Sequence, residues 1–247
     1  MKSIFAAAFL TVLLGWSLPA HAQAGDYRVQ LTPYVFLAGL NGTIEEKGRS
    51  ANVNAPFDDI LRNSNFIAMI YTDARFGRWR GTLDFLYAEV TSARSTPGPL
   101  FSSVTVAPKV WIADPEGGYA IFQGEGKEID VMAGVRIWGI KNSLTFFRNN
   151  VQAELDAGSR TVVDPIIGAH FATDVGRKMF VFGKADIGGF DAAAHLDWQA
   201  LGGAGYKFNE KVVGTVGYRY LSIDDKGSNS SYDVALKGVI LGIGVRF

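Results

Sequence analysis

Nine polar residues are the strongest candidates for chemistry: Asp84, Asp130, Arg136, Asp164, His170, Lys184, Asp186, Gln199 and Arg219. Each lies in a stretch where apolar and polar residues alternate, on the face opposite the bulky apolar one. An unpaired ion in a low-dielectric interior costs several kcal/mol, so signs this evenly mixed imply charges that pair with one another. Two roles fit such a ladder. It can be an electrostatic plug that fills a narrow lumen and fixes strand register, or a path for small polar solutes. The plug takes precedence, because side chains fill the interior of a small barrel.

The histidines offer less. His170 and His195 are the only two beyond residue 22. Hydrolysis by a nucleophilic Ser needs a neighbouring His and a carboxylate or Asn to orient its ring. The run Gly168-Ala169-His170-Phe171-Ala172 has Ala where a His-X-Ser arrangement requires Ser, and His195 has Asp191 and Asp197 nearby but no local Ser. His170 therefore reads as a satisfied interior histidine, and no residue is assigned as catalytic. Asp224, Asp225 and Asp233, or Glu45 and Glu46, supply carboxylates of the kind that bind a divalent cation, although solvated loop charge is the simpler explanation. The glycine-rich Gly202-Gly203-Ala204-Gly205 follows no strand-to-helix context, which rejects a phosphate loop and leaves close strand packing. No metal and no cofactor is expected.

The elements that must position these residues are not helices. The 247 residues include 29 Gly, 13% aromatics and no Cys, and each Gly costs a helix about 1 kcal/mol. Twenty-four basic side chains balance 24 acidic ones, which argues against a nucleic-acid binder. The lack of Cys removes disulfide scaffolds, thiolate zinc sites and cysteine nucleophiles together.

Residues 1–22 carry the marks of a secretory signal peptide. Lys2 precedes an apolar run over 4–14 broken only by Thr11, Gly15 and Pro19 end it, and Ala20-His21-Ala22 suits a signal peptidase cutting before Gln23. The run is too short to span about 30 Å of hydrocarbon, and no later segment approaches about 18 consecutive apolar residues, so transmembrane helices are excluded. Residues 23–247 are expected to form one exported domain.

That domain alternates with a period of two over 27–43, 65–76, 79–92, 103–122, 128–143, 161–173, 179–191, 195–208, 211–223 and 233–247. The pattern predicts ten strands, or eight if 103–122 and 195–208 are partly loop. Tight connections at 76–78, 123–127, 174–178 and 209–210 alternate with long polar ones at 44–64, 93–102, 144–160 and 224–232. Tight turns on one rim and long loops on the other are the habit of outer-membrane barrels, whose short turns face the periplasm. Within 56–62, Pro56 and two Asp residues predict a single helical turn.

A soluble barrel also alternates, so the character of the two faces decides. Val131, Val135 and Ile137, Val163, Ile167 and Phe171, and Val239, Leu241, Ile243, Val245 and Phe247 make one face bulky and free of charge. The other mixes glycines with sparse charges of both signs, which suits a crowded polar interior. Tyr34, Trp79, Tyr87, Trp138, Trp198, Tyr206, Phe208, Tyr218 and Tyr220 lie near run ends and predict interfacial aromatic girdles. Since every backbone amide in a bilayer must be paired within the protein, such segments must close. The fold expected is an all-β, closed antiparallel transmembrane β-barrel.

The chain ends Gly242-Ile243-Gly244-Val245-Arg246-Phe247, which looks like the C-terminal signal read by the bacterial barrel-assembly machinery. Leu31-Thr32-Pro33-Tyr34, Val163-Asp164-Pro165-Ile166-Ile167-Gly168, Lys184-Ala185-Asp186-Ile187-Gly188-Gly189-Phe190, Trp198-Gln199-Ala200, Gly205-Tyr206-Lys207-Phe208 and Gly217-Tyr218-Arg219-Tyr220-Leu221 together resemble a family of small proteobacterial outer-membrane β-barrel proteins of OmpA/OmpW-like size. Most members of that family have no assigned activity. The resemblance implies an outer-membrane address in a Gram-negative envelope, with lipid, lipopolysaccharide and the assembly machinery as partners, and no peptidoglycan-binding domain after the last strand. A non-enzymatic barrel with a plugged lumen and interacting outer loops is the first expectation. A narrow, porin-like channel is the second, and a lipid-modifying enzyme the least supported.

Overall fold

The computed structural model describes residues 27–46, 49–90, 92–95, 103–106, 109–148, 151–192, 194–226 and 230–247; the expected signal peptide and part of the 93–102 link lie outside them. The elements are β1 (Tyr27–Glu46), β2 (Arg49–Ala55), α1 (Phe57–Asn63), β3 (Ser64–Phe76), β4 (Trp79–Val90), β5 (Ser92–Ser95), β6 (Ser103–Val106), β7 (Lys109–Gly124), β8 (Lys127–Arg148), β9 (Val151–Val175), β10 (Met179–Gly189), β11 (Leu196–Lys207), β12 (Val212–Lys226) and β13 (Ser230–Arg246). Ten of these form the wall in the order β1-β3-β4-β7-β8-β9-β10-β11-β12-β13. Antiparallel pairing of β13 with β1, from Gln30↔Arg246 to Glu46↔Ser230, closes the barrel. The ten-strand expectation holds, and the eight-strand alternative does not.

Turn chemistry sets the short rim. Glu125 and Gly126 both take left-handed φ (52° and 71°), the pattern of a two-residue hairpin turn whose twist matches the flanking strands. Gly77 and Gly176 provide the same backbone freedom at their turns, with φ of 55° and 74°.

The long rim is more ordered than a reading of its polar links suggests. In the 144–160 link, pairing of β8 with β9 continues from Ser143↔Asp156 to Arg148↔Val151. Leu144, Thr145, Phe146 and Phe147 suit a strand once the hairpin holds their partner in place. In the 44–64 link, β2 pairs back onto β1 from Leu40↔Ala55 to Glu46↔Arg49. The helical turn after Pro56 forms as α1, with Asp58 and Asp59 in its first turn and Arg62 in its last.

Alternation sorts the side chains by face. Val35, Val131, Val163, Ile167, Ile187, Val216, Leu241 and Ile243 point outward and are 44–60% exposed. Inward, toward the long-loop end, Phe36, Ala38, Leu86, Ile112, Trp138, Val162, Leu221 and Ile223 pack into a buried apolar layer.

One seam of the wall is shorter than the rest. Pairing of β1 with β3 runs only from Tyr27↔Phe76 to Pro33↔Ile70, and β2 joins β1 only from Leu40 upward. Between these limits the Phe36 amide donates to the Met69 sulfur at 3.2 Å rather than to a backbone carbonyl. Sulfur is a weak acceptor, so this stretch holds its amides least firmly. Hydrogen exchange in lipid nanodiscs should show residues 34–39 exchanging faster than residues 239–244 of β13. Equal protection of the two segments would show a continuous seam.

Candidate functional site

All nine sequence-derived candidates face the lumen. At mid-height Arg136, fully buried, is the hub. Its Nε and Nη2 each donate to Asp114 at 3.0 Å, Nη2 also donates to Asp186 at 3.0 Å, and Nη1 donates to Asp197 at 2.6 Å. Trp138 Nε1 holds the second Asp197 oxygen at 3.0 Å, and Gln199 Nε2 donates to Asp186 at 2.7 Å. The planar guanidinium offers five donors in a fixed fork, which is why Arg rather than Lys serves three carboxylates at once. Lys184 bonds Glu116 and lies 3.6 Å from Asp186. Arg219 donates to Asp84 at 2.7 Å, and the Tyr34 hydroxyl donates to the same carboxylate at 2.7 Å.

A second cluster lies nearer the short turns. Arg75 Nη2 donates to both Asp130 oxygens at 2.9 Å and lies 3.2 Å from Glu128. Arg80 donates to Asp73 and Asp130 at 2.7 Å and to Glu128 at 3.1 Å. His170 Nδ1 is 2.5 Å from Arg80 Nη1 and 3.2 Å from Asp130 Oδ2. Ligand atoms of Glu128, Asp130 and His170 lie within 4.8 Å of one another, a spacing that would suit a cation. Here the Arg75 and Arg80 guanidiniums hold that place.

The ninth candidate, Asp164, caps the long-loop end of the lumen. Its Oδ1 accepts from the Ala194 amide at 2.7 Å, which pulls the 190–195 turn inward and leaves Ala194 fully buried. Above it Arg160 pairs with buried Asp225 at 2.6 Å. Asp225 is therefore an interior ion-pair partner rather than the solvated loop charge expected, whereas Asp233 is exposed. Between the turns and the Arg136 hub the lumen opens into a cavity of about 400 Å³.

Several placements differ from the sequence expectations. Tyr34 and Trp138, expected in the aromatic girdles, point inward to Asp84 and Asp197, because a buried hydroxyl or indole N–H needs an acceptor. The exposed girdle pairs are Trp79–Tyr119 and Tyr206–Phe208 near the short turns, with Trp198–Tyr220 stacked near the long loops. Asp73, Arg75, Arg80, Asp114, Glu116, Glu128 and Asp197 belong to the network without having been singled out. For Glu128 and Asp197 the signal was phase, two residues from Asp130 and Gln199 on the same strand, whereas β3 and β7 carry no identified candidate to set the phase of Asp73, Arg75, Asp114 and Glu116. His195 bonds exposed Asp191 at 2.6 Å, while Asp197 turns away into the Arg136 hub. Gly203 and Gly205 lie under the Phe182 and Phe180 rings, where a Cβ would approach to 2.8 and 2.1 Å, in keeping with close packing at that run.

The outer surface decides the environment. Among the described residues, outward positions of the wall carry no charge between Lys127 at the short-turn rim and Glu89, Lys109, Lys141, Asp224 and Lys237 at the long-loop end. A closed wall with a charge-free apolar belt outside and paired ions inside suits hydrocarbon and would be inverted in water. The chain is an outer-membrane β-barrel protein.

No family model and no curated protein matches the sequence. Among solved structures, the barrel is similar to the outer membrane protease OmpT of Escherichia coli, with 8% identity, 92% of this chain and 99% of that chain covered, and a TM-score of 0.54. The translocator domain of the autotransporter NalP of Neisseria meningitidis matches over 92% of this chain and 90% of that chain, at 14% identity and a TM-score of 0.47. Ail, the attachment invasion locus protein of Yersinia pestis, matches over 91% and 100%, at 11% identity and a TM-score of 0.33. The OmpT likeness supports the fold and carries no chemistry.

The buried hub and an exposed ion pair should differ sharply in energy. Replacing one partner of a buried pair strands the others, at a cost of about 3–5 kcal/mol, whereas exposed pairs contribute about 1 kcal/mol or less. Arg136→Ala should therefore lower the stability of the refolded protein by about 3–5 kcal/mol, and Arg62→Ala, on α1, by less than about 1 kcal/mol, in denaturant titrations. Similar losses for both variants would contradict the energetic role of the hub.

Proposed function

We propose that this is a non-enzymatic outer-membrane barrel whose lumen is sealed by paired charge and whose outer hairpins meet ligands, lipopolysaccharide or other cells. The observation that supports it most is Arg136, with no solvent exposure and three carboxylates bound around it. A conducting path needs mobile water and ions at its narrowest point. The paired ions around Arg136, with the apolar layer of Phe36, Leu86, Ile112, Trp138 and Leu221 toward the long loops, support a seal instead.

The envelope supplies the other partners. Lipid contacts the outward belt, and the barrel-assembly machinery reads the terminal strand with exposed Phe247, whose amide bonds the Val29 carbonyl at 2.9 Å. The outer hairpins extend pairing beyond the wall, as β5–β6, β6–β8 and β8–β9 do, and so present strands to a surface partner. Hydrolysis of lipid finds little support, since His170 bonds Arg80 and Asp130 and His195 bonds Asp191, none of them a Ser.

A narrow channel for small polar solutes is the alternative, favoured by the cavity that already reaches mid-height from the short-turn rim. Planar-bilayer recording separates the two. The wild-type protein should stay silent at every voltage the bilayer withstands. Discrete openings whose ion selectivity changes in Asp186→Ala would establish the channel and overturn the plug. Lipid A from expressing cells should keep its mass, and a shifted mass that requires the intact protein would establish an enzyme instead.

A further inference from the structure

The short-turn half of the lumen has two unlike walls. One carries the Arg75–Arg80 cluster on β3, β4, β8 and β9. The other, from β10 to β13, presents Phe180, Phe182, Leu201 and Ile240 to the same cavity. Phe180 and Phe182 stand side by side, their ring centroids 6.0 Å apart. An empty space of about 400 Å³ with a largely apolar wall is the size and character of a small-molecule pocket rather than a packing defect. Its inner end is lined by Asp84, Lys184, Gln199 and Arg219, which join the buried Arg136 hub beneath through Asp186 and Asp114.

Its mouth is cationic. Arg28, Lys127, Lys207 and Arg246 line the rim, against Glu128 and Asp174. Lys207 is held by Asp174 at 2.6 Å, and Arg28 lies 3.8 Å from Glu128. Lys127 is in phase with the outward Ile129 and Val131, whereas Arg28 and Arg246 lie on adjoining strands in the inward phase of Gln30, and the Arg246 guanidinium donates to Gln30 Oε1 at 2.8 Å. Deeper in, carboxylates outnumber cations around Arg136, Lys184 and Arg219. An anion is therefore drawn to the mouth and repelled from the floor, while apolar surface gains by moving inward. That gradient orients a ligand: charged end at the rim, apolar body against the phenylalanines.

We propose that this cup binds a small anionic amphiphile, entering from the periplasmic side with its acidic group at Arg28 and Arg246 and its apolar body against Phe180, Phe182, Leu201 and Ile240. The site rests on the sealed-lumen reading, since an open floor would make it a stage of a path.

The probe is phenylbutyrate, with phenylbutylamine as its cationic counterpart, titrated onto the full-length protein in zwitterionic nanodiscs. Saturation-transfer NMR reads binding, and empty nanodiscs supply the background. Phenylbutyrate should bind saturably and at least about tenfold more tightly than the amine, a difference of about 1.4 kcal/mol. Arg28→Glu with Arg246→Glu should remove that preference. Thr215→Trp, which fills the cup from β12, should abolish binding, and Leu201→Trp does the same from β11 if the first variant does not fold. Absence of saturable binding, equal affinity for the two probes, or binding that survives both tryptophan variants would overturn the proposal. Current in the bilayer recording would instead overturn the seal, so the two failures are distinguishable.

Discussion

Hydrocarbon offers no hydrogen bonds, and most of this structure follows from that one property of its solvent. Each backbone amide in the spanning region must find a partner in the protein, so the strands must be paired on both sides and the sheet must close. Each ion must also leave the outer face, and alternation leaves the lumen as its only destination. Closure and the inward ladder of charge are two consequences of a single constraint. The seam between β1 and β3 shows the same rule at its weakest point, where the Phe36 amide takes the Met69 sulfur when no carbonyl is in reach.

Once confined to the lumen, ions must still be compensated. Guanidinium groups suit this task, because one Arg can serve several carboxylates and keeps its charge throughout. Arg136 ties β8 to β7, β10 and β11 through Asp114, Asp186 and Asp197, and Arg219 ties β12 to β4 through Asp84. All of these ties except the one to β7 reach strands that are not neighbours in the wall, so they fix its cross-section in a way that ladder pairing does not. Breaking such pairs is costly even where forming them adds little net stability. The same ties divide the lumen into an apolar layer toward the long loops and an amphipathic cup toward the short turns.

Much of the fold was legible because period-two alternation and turn residues are local signals. The wall strands fall on the ten predicted runs, and the identified ladder from Asp84 to Arg219 points inward. What stayed hidden depended on partners distant in sequence. Asp73 and Arg75 sit just before the Gly77 turn, and it is Arg80 and Asp130, on other strands, that draw them in. Asp114 and Glu116 flank Pro115 and precede two glycines, which obscures the strand. Tyr34 and Trp138 have the composition of girdle residues, and only their phase, shared with Thr32 and Arg136, shows that they face the lumen. The pairing beyond Ser143 was hidden for a similar reason, since a strand extension depends on the neighbour that completes it.

The central claim concerns which way alternate side chains point, and the chain's lack of Cys makes it directly measurable. Single cysteines placed in turn at positions 29–32 and 34–37 of β1 can carry a small fluorinated label in nanodiscs, with dissolved oxygen broadening the resonance of any label that meets lipid tails. Labels at 29, 31, 35 and 37 should broaden strongly, while those at 30, 32, 34 and 36 should broaden weakly. The opposite phase, or no alternation along the strand, would contradict the orientation on which the seal, the ion network and the cup all depend.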